Sequence, residues 1–205
     1  MAPLIEKSFA DLRTAHRAAG VESGDVIRVT CFLSSLADIT EVRRMGAKEF
    51  PKAAANYVQL VRTPSRGIVE CETVARLRSA PGEPLRMISP EGLAKSPNYS
   101  HVAMLGPGKV AFSGMRLAAG LQDADARAVF AELDKALSKA GSSVRKVAMS
   151  SLYPTSTAAS DLIRRIRFEF YDKGRPPAST MLVFEGLPKT ASFAAAVVAA
   201  AGGSN

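Results

Sequence analysis

The chain has 205 residues, 47% of them hydrophobic, which fits one large domain or two small ones. It contains no uncharged run of about 18 apolar residues and no signal-peptide core, so we expect a cytoplasmic protein without a membrane partner. The formal net charge is +8, but the basic residues are scattered and no aromatic run accompanies them. That distribution is typical of solvated helix faces and argues against a nucleic-acid partner.

The first part of the chain predicts the order α-β-α-β-β. Apolar residues at helical spacing, and then Gly20 as a cap, indicate the first helix, and Pro51 ends the second. A Pro- and Gly-containing turn at Thr63–Gly67 separates the last two strands. The predicted helices cover 4–19 and 38–50, and the predicted strands cover 26–33, 57–62 and 68–77.

The second part predicts the order β-β-α-β-α-β-β. It follows Ser79–Pro97, a Pro-, Gly- and Ser-rich segment that we interpret as a linker and lead-in. A Gly106-Pro-Gly108 turn joins the first two strands into an opening hairpin. The predicted strands cover 101–105, 109–115, 143–153, 180–185 and 192–200, and the predicted helices cover 122–140 and 157–172.

The chain repeats itself. Phe9 and Phe130 are 121 positions apart (130 − 9), as are Arg43 and Arg164 (164 − 43), whereas later matches such as Pro64 and Pro188 are 124 apart (188 − 64). The difference predicts three additional residues around Lys173–Pro177 in the second copy. We therefore expect two copies of one domain, a partial one at 1–78 and a complete one at 86–205. Because the first copy lacks the opening hairpin, we expect Met1 to be an internal start or an artificial boundary.

The two cysteines, Cys31 and Cys71, lie in apolar, strand-like runs. Cysteines of cytosolic proteins usually stay reduced, so the expectation is two buried thiols. Their strands could pair, but spacing alone does not establish a disulfide.

Several segments together resemble the Rid (YjgF/YER057c/UK114) family. They are Ala55–Pro64 and Ile68–Ala75 in the first copy, and Pro97–His101, Phe112–Gly114, Pro177–Thr180 and Glu185–Pro188 in the second. The resemblance implies an α+β, chorismate-mutase-like fold, in which two helices cover one face of a mixed sheet. It also implies a homo-oligomer, expected to be a trimer, with ligand clefts between subunits. Its deaminating members hydrolyse imines or enamines without a cofactor.

The sequence departs from the family at the two positions that carry this chemistry. The family's Arg, which holds the substrate carboxylate, falls on Ala55 and Ser179, and its Glu, which positions water, falls on Glu70 and Ala194. Neither copy therefore holds the pair. The resemblance leaves Glu70 as the catalytic candidate. The ligand-binding candidates are Ala55, Tyr57, Tyr99, Ser113, Gly114, Ser179 and Met181.

Three functions stay open. The first is binding of a small metabolite in an inter-domain or inter-subunit cleft, with imine deaminase activity weak or lost. The second is an active deaminase whose atypical site uses Glu70 with Tyr99, Ser113 and Ser179. The third is an RNA-binding or endoribonuclease-like protein. The two histidines, His16 and His101, lack metal-ligand spacing, so no metal is expected.

Overall fold

The computed structural model describes residues 2–62 and 67–202, which form two compact units. The first unit comprises the residues up to Ser79 together with Pro90–Ala94, and the second comprises Ala80–Ser89 and the chain from Lys95 onward. The predicted Thr63–Gly67 turn lies outside the described residues except for Gly67. These residues include four α-helices, which are α1 (Ala2–Ala19), α2 (Ile39–Glu49), α3 (Asp123–Lys139) and α4 (Thr157–Ile166).

The described residues contain ten strands. They are β1 (Val26–Leu33), β2 (Ala54–Gln59), β3 (Val69–Ala75), β4 (Leu85–Ile88), β5 (Val102–Leu105), β6 (Lys109–Phe112), β7 (Arg116–Ala118), β8 (Val147–Pro154), β9 (Ala178–Met181) and β10 (Phe193–Ala201).

The first unit is a three-stranded mixed sheet covered by two helices. The strand order is β2-β1-β3, with β2 parallel and β3 antiparallel to β1. Ile5 and Phe9 of α1 and Val42 of α2 are fully or almost fully buried in the same cluster as the inward residues of β1. Burial of these helix stripes against one sheet face is the main stabilising term for the unit.

The second unit has the same layers and a larger sheet. Its strand order is β6-β10-β8-β9, and β7 also pairs with β10. Strand β9 is parallel to β8, whereas β10 is antiparallel to it. Buried residues of α3 and α4, among them Phe130, Leu133 and Ile163, share one core with the inward face of the sheet. The predicted α+β class, with two helices on one face of a mixed sheet, is confirmed.

The two sheets pair in the same register. In the first, Arg28 lies opposite Ala54; in the second, Met149 (28 + 121) lies opposite Ala178 (54 + 124). The antiparallel pairs of the two sheets are related by the same offsets of 121 and 124 residues. A β-bulge also lies near the start of each central strand, between Val26 and Arg28 in β1 and at the equivalent position in β8. A bulge re-aims a strand and adds twist, so its presence at equivalent positions gives both sheets the same local shape.

The outer edge of β3 is covered by a helix rather than by a strand. In the described part of the first unit no strand pairs with this edge; instead the Cys71 N–H donates to Ser8 Oγ of α1 at 3.0 Å. At the equivalent position of the second unit, Ala195 (71 + 124) pairs with Arg116 of β7. The Ser8 hydroxyl thus satisfies a backbone group that a neighbouring strand would otherwise take, which is one way to protect a sheet edge.

The predicted opening hairpin is wrong in its pairing. Strand β5 pairs with β4, whereas β6 pairs with β10, so the two predicted hairpin strands belong to different sheets. Strand β4 lies in the segment interpreted as linker. The Gly106 N–H donates to Pro84 O, and a Cβ on Gly106 would lie 2.5 Å from Glu83 O. This close approach, which only glycine permits, holds the end of β5 against β4.

The expectation of two free thiols is also wrong. Cys31 and Cys71 form a disulfide between directly opposed residues of β1 and β3, and the described residues include no free cysteine. Antiparallel pairing brings the two Cβ atoms into bonding range, which is the geometric condition that spacing could not supply. Disulfides are typical of oxidising compartments, so this bond does not support the cytoplasmic location, which stays a prediction. Among the described helices, none combines the length and apolar character that a membrane span requires.

Candidate functional site

In the first unit the candidate residues lie on opposite faces of the sheet. Ala55 pairs with Val29, whose side chain belongs to the helix-covered core, so Ala55 is on the helix-covered side. Glu70 pairs with Phe32 and precedes Cys71, which faces the helices, so Glu70 is on the other side. The two positions that would carry the family's Arg and Glu are therefore not convergent in this unit.

Tyr57 is a packing residue of the first unit. Its hydroxyl lies 3.0 Å from the point that a Cβ on Gly46 of α2 would occupy, and the Arg43 guanidinium lies 5.8 Å from the ring centroid. Burial raises the pKa of the Tyr57 hydroxyl, and the nearby Arg43 opposes that shift. The ring thus fills the space above a helical glycine, on the side of the sheet away from Glu70.

Glu70 has a perturbed carboxyl group. Although part of its side chain reaches solvent, its pKa is raised, first because neighbouring groups displace water from the carboxylate and second because Glu72 lies close by. Glu72 shares its side of β3, two residues along. A raised carboxyl pKa is found in catalytic acids and bases, but it also arises wherever two carboxylates crowd a sheet face.

In the second unit, Ser179 and Met181 face the helices. Ser179 pairs with Ser150, whose hydroxyl is 2.9 Å from the hydroxyl of buried Tyr171. Met181 packs against the same core. Ala194 lies between Phe193 and Ala195, which both face that core, so it is on the opposite side. Ser179 Oγ is buried and makes no hydrogen bond with the described residues.

Ser113 and Gly114 belong to the bend between β6 and β7. Ser113 Oγ accepts a hydrogen bond from the Val197 N–H at 2.9 Å, and the Ser113 N–H donates to Val197 O at 3.0 Å. The hydroxyl is therefore engaged in holding the edge of the sheet. A Cβ on Gly114 would meet only the end of the flexible Arg116 side chain, at 3.5 Å, so no close approach requires glycine there.

Tyr99, one of the ligand-binding candidates, lines a cavity. This cavity, which we call the loop cavity, has a volume of about 310 Å³, near the lower end of the range for small-molecule sites. It lies wholly within the second unit, and the Tyr99 ring stands edge-on to His101 at a centroid distance of 5.2 Å. Its lining is Met87, Ser89, Ser96, Pro97, Tyr99, Ser100, Lys173, Gly174, Arg175 and Pro176.

One wall of the loop cavity is the loop that is longer in the second unit. Tyr171 is the equivalent of Phe50 (50 + 121), and Ala178 is the equivalent of Ala54 (54 + 124). The three additional residues therefore lie between Tyr171 and Ala178, where the 121-to-124 change predicted them. This longer loop supplies Lys173, Gly174, Arg175 and Pro176 to the cavity lining.

Hydrogen bonds hold the longer loop in one conformation. The Gly174 N–H donates to Asp172 Oδ1 at 2.9 Å, which closes a local turn. Ser100 anchors the far end, since its hydroxyl donates to Pro176 O at 2.7 Å and its N–H to Pro177 O at 3.2 Å. The cavity is thus built before any ligand arrives, which lowers the entropic cost of binding.

A buried cation lies close to this cavity. Arg167 is only 2% exposed, and its Nη2 donates to the backbone oxygen of Asn98 at 2.7 Å. Asn98 lies between Pro97 and Tyr99, two lining residues. Within the described residues Arg167 Nε makes no hydrogen bond and the guanidinium has no carboxylate partner. Burial lowers its pKa to about 10, so it stays charged at neutral pH.

Sequence reasoning missed most of the loop cavity. Ser89, Ser96, Lys173 and Arg175 were not candidates, because no short motif marks them. For Lys173 and Arg175 the available signal is the insertion itself, since an insertion in one copy of a repeat marks a loop that is free to acquire a function, whereas Ser89 and Ser96 lie outside it. Among the described residues no cluster of His, Cys, Asp and Glu could hold a metal ion.

The sequence matches no protein-family model and no curated protein. Solved structures give matches. A Rid-family protein of unknown function from Yersinia pestis is 19% identical, with a TM-score of 0.49, over 58% of this chain and 99% of that one. A YjgF/YER057c/UK114-family protein from Mycobacterium tuberculosis is 20% identical, with a TM-score of 0.41, over 57% of this chain and 98% of that one.

A third match is RidA from the Antarctic bacterium Psychrobacter, 16% identical, with a TM-score of 0.40, over 55% of this chain and 93% of that one. The chain is similar to solved structures of the Rid family, the family that its sequence motifs resemble.

Proposed function

We propose that this protein binds a small polar metabolite in the loop cavity, and that imine deaminase activity is weak or lost. The observation that carries the proposal is the cavity itself. It is preformed, has the volume of a small-molecule site, and contains Tyr99, one of the ligand-binding candidates. Serines, one tyrosine and two cations supply its polar groups, and such groups fix the orientation of a polar ligand.

The absence of the family's guanidinium and carboxylate pair supports binding over catalysis. A deaminase of this family type needs a guanidinium and a carboxylate that converge on one substrate. In the second unit the two positions hold Ser179 and Ala194, on opposite sides of the sheet. In the first unit Glu70 is present, but Ala55 replaces the guanidinium and lies on the other side. Neither unit alone supplies the pair.

Binding is tested with small polar fragments, some anionic and some uncharged, detected by saturation-transfer NMR on the full chain. The test variant is Ser89→Trp, which fills the cavity from an exposed position. The matched control is Ser138→Trp on the exposed side of α3. The proposal predicts binding that Ser89→Trp abolishes and Ser138→Trp preserves. Binding that both variants retain would place the ligand elsewhere and overturn the proposal.

An active deaminase is the second candidate, because the raised pKa of Glu70 is a property of catalytic carboxyl groups. In that alternative Glu70 activates water, and some other group takes the part of the missing Arg. Hydrolysis of an imine that depends on Glu70 is the discriminating property.

We also propose that the protein is a homo-oligomer, with a trimer expected from the resemblance. The supporting observation is Phe112, which is 77% exposed on β6, together with Val110, which lies two residues earlier on the same side of the strand and is 40% exposed. Exposed apolar pairs of this kind often mark protein interfaces. Light scattering should give a trimer for the wild type and a smaller species for Phe112→Asp; a monomeric wild type would rule the proposal out.

A further inference from the structure

We propose that the loop cavity selects a small dianion, meaning a metabolite that carries a terminal phosphate or two carboxylates. This inference rests on the proposed function and names the chemical class of its ligand. The lining of the cavity is positively charged. Lys173 and Arg175 both line the cavity, and no Asp or Glu does.

The charge balance around the cavity is close to +2. Lys173, Arg175 and the buried Arg167 behind Asn98 contribute three positive charges. The nearest carboxylate in the loop is Asp172, whose Oδ1 is occupied by the Gly174 N–H. Three cations and one carboxylate leave two positive charges, and a ligand with two negative charges neutralises them. Lys173 and Arg175 are both exposed, so the preference rests on attraction, and the same cations attract a dianion about twice as strongly as a monoanion.

The hydrogen-bond donors also suit a ligand with several terminal oxygens. Ser96 Oγ accepts the Asn98 N–H at 3.1 Å, so its own O–H is oriented by the backbone and can donate to a ligand. Within the described residues the Arg175 guanidinium makes one long hydrogen bond, to Leu85 O at 3.5 Å, and it carries five N–H donors. Together with the Lys173 ammonium, these groups can meet three or more acceptor oxygens at once.

The first unit provides an internal control for this inference. Its Lys52 lies in the corresponding loop, between Phe50 and Ala54, and is likewise exposed, but that loop is three residues shorter. Lys52 does not line the loop cavity. Replacing Lys52 therefore removes the same charge from the equivalent place in the chain without touching the cavity.

The experiment is isothermal titration of the full chain with inorganic phosphate, malonate and acetate, for the wild type, Lys173→Gln, Arg175→Gln and Lys52→Gln. We expect whichever of phosphate and malonate has the higher affinity to bind at least about tenfold more tightly than acetate. We expect Lys173→Gln and Arg175→Gln each to weaken that binding by about tenfold, which is the size of one charge-assisted hydrogen bond. Lys52→Gln should leave it unchanged. Added salt should weaken binding of the dianion more than that of acetate.

Each outcome decides the inference. The more tightly bound of phosphate and malonate identifies which kind of dianion the cavity takes. Acetate binding as tightly as both dianions, or Lys52→Gln losing as much affinity as Lys173→Gln, overturns the selection of a dianion. If uncharged fragments bind in a way that Ser89→Trp abolishes while neither dianion binds, the inference fails and the proposed function stands. If neither fragments nor anions bind, both fail.

Discussion

Cys31 and Cys71 are bonded across β1 and β3, and the two residues at the equivalent positions of the second unit, Leu152 (31 + 121) and Ala195 (71 + 124), form the same register pair. The bond is thus present in the unit whose sheet has three strands and absent from the unit whose sheet has five. A covalent link between two strands compensates for pairing that the smaller sheet lacks, because it restricts the unfolded chain.

Reduction should destabilise the first unit. The two cysteines are 40 residues apart, and a loop of that length corresponds to about 4 kcal/mol in the chain-entropy description. Urea unfolding with and without dithiothreitol measures the difference, and the matched control is the double variant Cys31→Ala/Cys71→Ala, on which the reductant should have no effect. Thiol labelling under denaturing, non-reducing conditions should find no free thiol. Two labelled thiols per chain would contradict the account.

The hydroxyl pair Tyr171 and Ser150 should behave as a unit. Both residues are almost fully buried, and their hydroxyl oxygens are 2.9 Å apart. Tyr171→Phe leaves Ser150 without its partner and should cost about 1–3 kcal/mol of unfolding free energy. The equivalents in the first unit are Phe50 (171 − 121) and Val29 (150 − 121), an apolar pair.

The double variant Tyr171→Phe/Ser150→Val copies that apolar pair, and it should recover most of the loss because no polar group stays unpaired. Urea unfolding of the single and double variants gives the interaction free energy between the Tyr171 and Ser150 side chains. A double variant less stable than Tyr171→Phe alone would show that packing, rather than the hydrogen bond, decides this position.

Acid should destabilise the protein partly through His16. Burial lowers the pKa of His16 in the folded chain, and nearby Glu49 opposes that shift. The Nε2 atom lies 2.8 Å from Thr73 Oγ1 on β3. Because the unfolded chain binds the proton more readily, the contribution of His16 to the unfolding free energy is complete at pH values above the ordinary histidine pKa of about 6.5. It is lost as the pH falls below that value.

Unfolding free energies of the wild type and His16→Gln, measured from pH 8 down to pH 5, test this sign. The difference between the two proteins should be constant above pH 7 and should shift in favour of the variant below pH 6.5. A difference that stays constant over the whole range would mean that His16 does not titrate on unfolding.

The repeat made the fold predictable, because its 121-residue offset survives as backbone register. The predicted 26–33 strand is β1, and the three additional residues lie where the change of offset predicted them. Strand β4 was missed because its four residues lie among prolines and glycines and, within the described part of the chain, pair with β5 alone. The disulfide and the loop cavity were missed for a related reason. Both depend on which residues meet across strands and loops, and the sequence marks only the cavity wall that the insertion supplies.

The candidate site was less predictable than the fold. Tyr99 lines the loop cavity, whereas Tyr57 and Met181 pack on the helix-covered sides of their sheets. A family position identifies where along a strand a side chain lies, but neighbouring residues decide what it contacts. Gly46 gives Tyr57 its space, and at the equivalent position of the second unit Arg167 (46 + 121) contacts Asn98 instead.

The most direct test of the central claim is the hydrolysis of freshly generated 2-iminopropionate by the wild type and by Glu70→Ala. The account predicts that both proteins match the rate in buffer alone, because neither unit holds both the guanidinium and the carboxylate at the two positions that the family uses. A wild-type rate above that of buffer, lost in Glu70→Ala while the variant stays folded, would contradict it and would establish Glu70 as a catalytic residue.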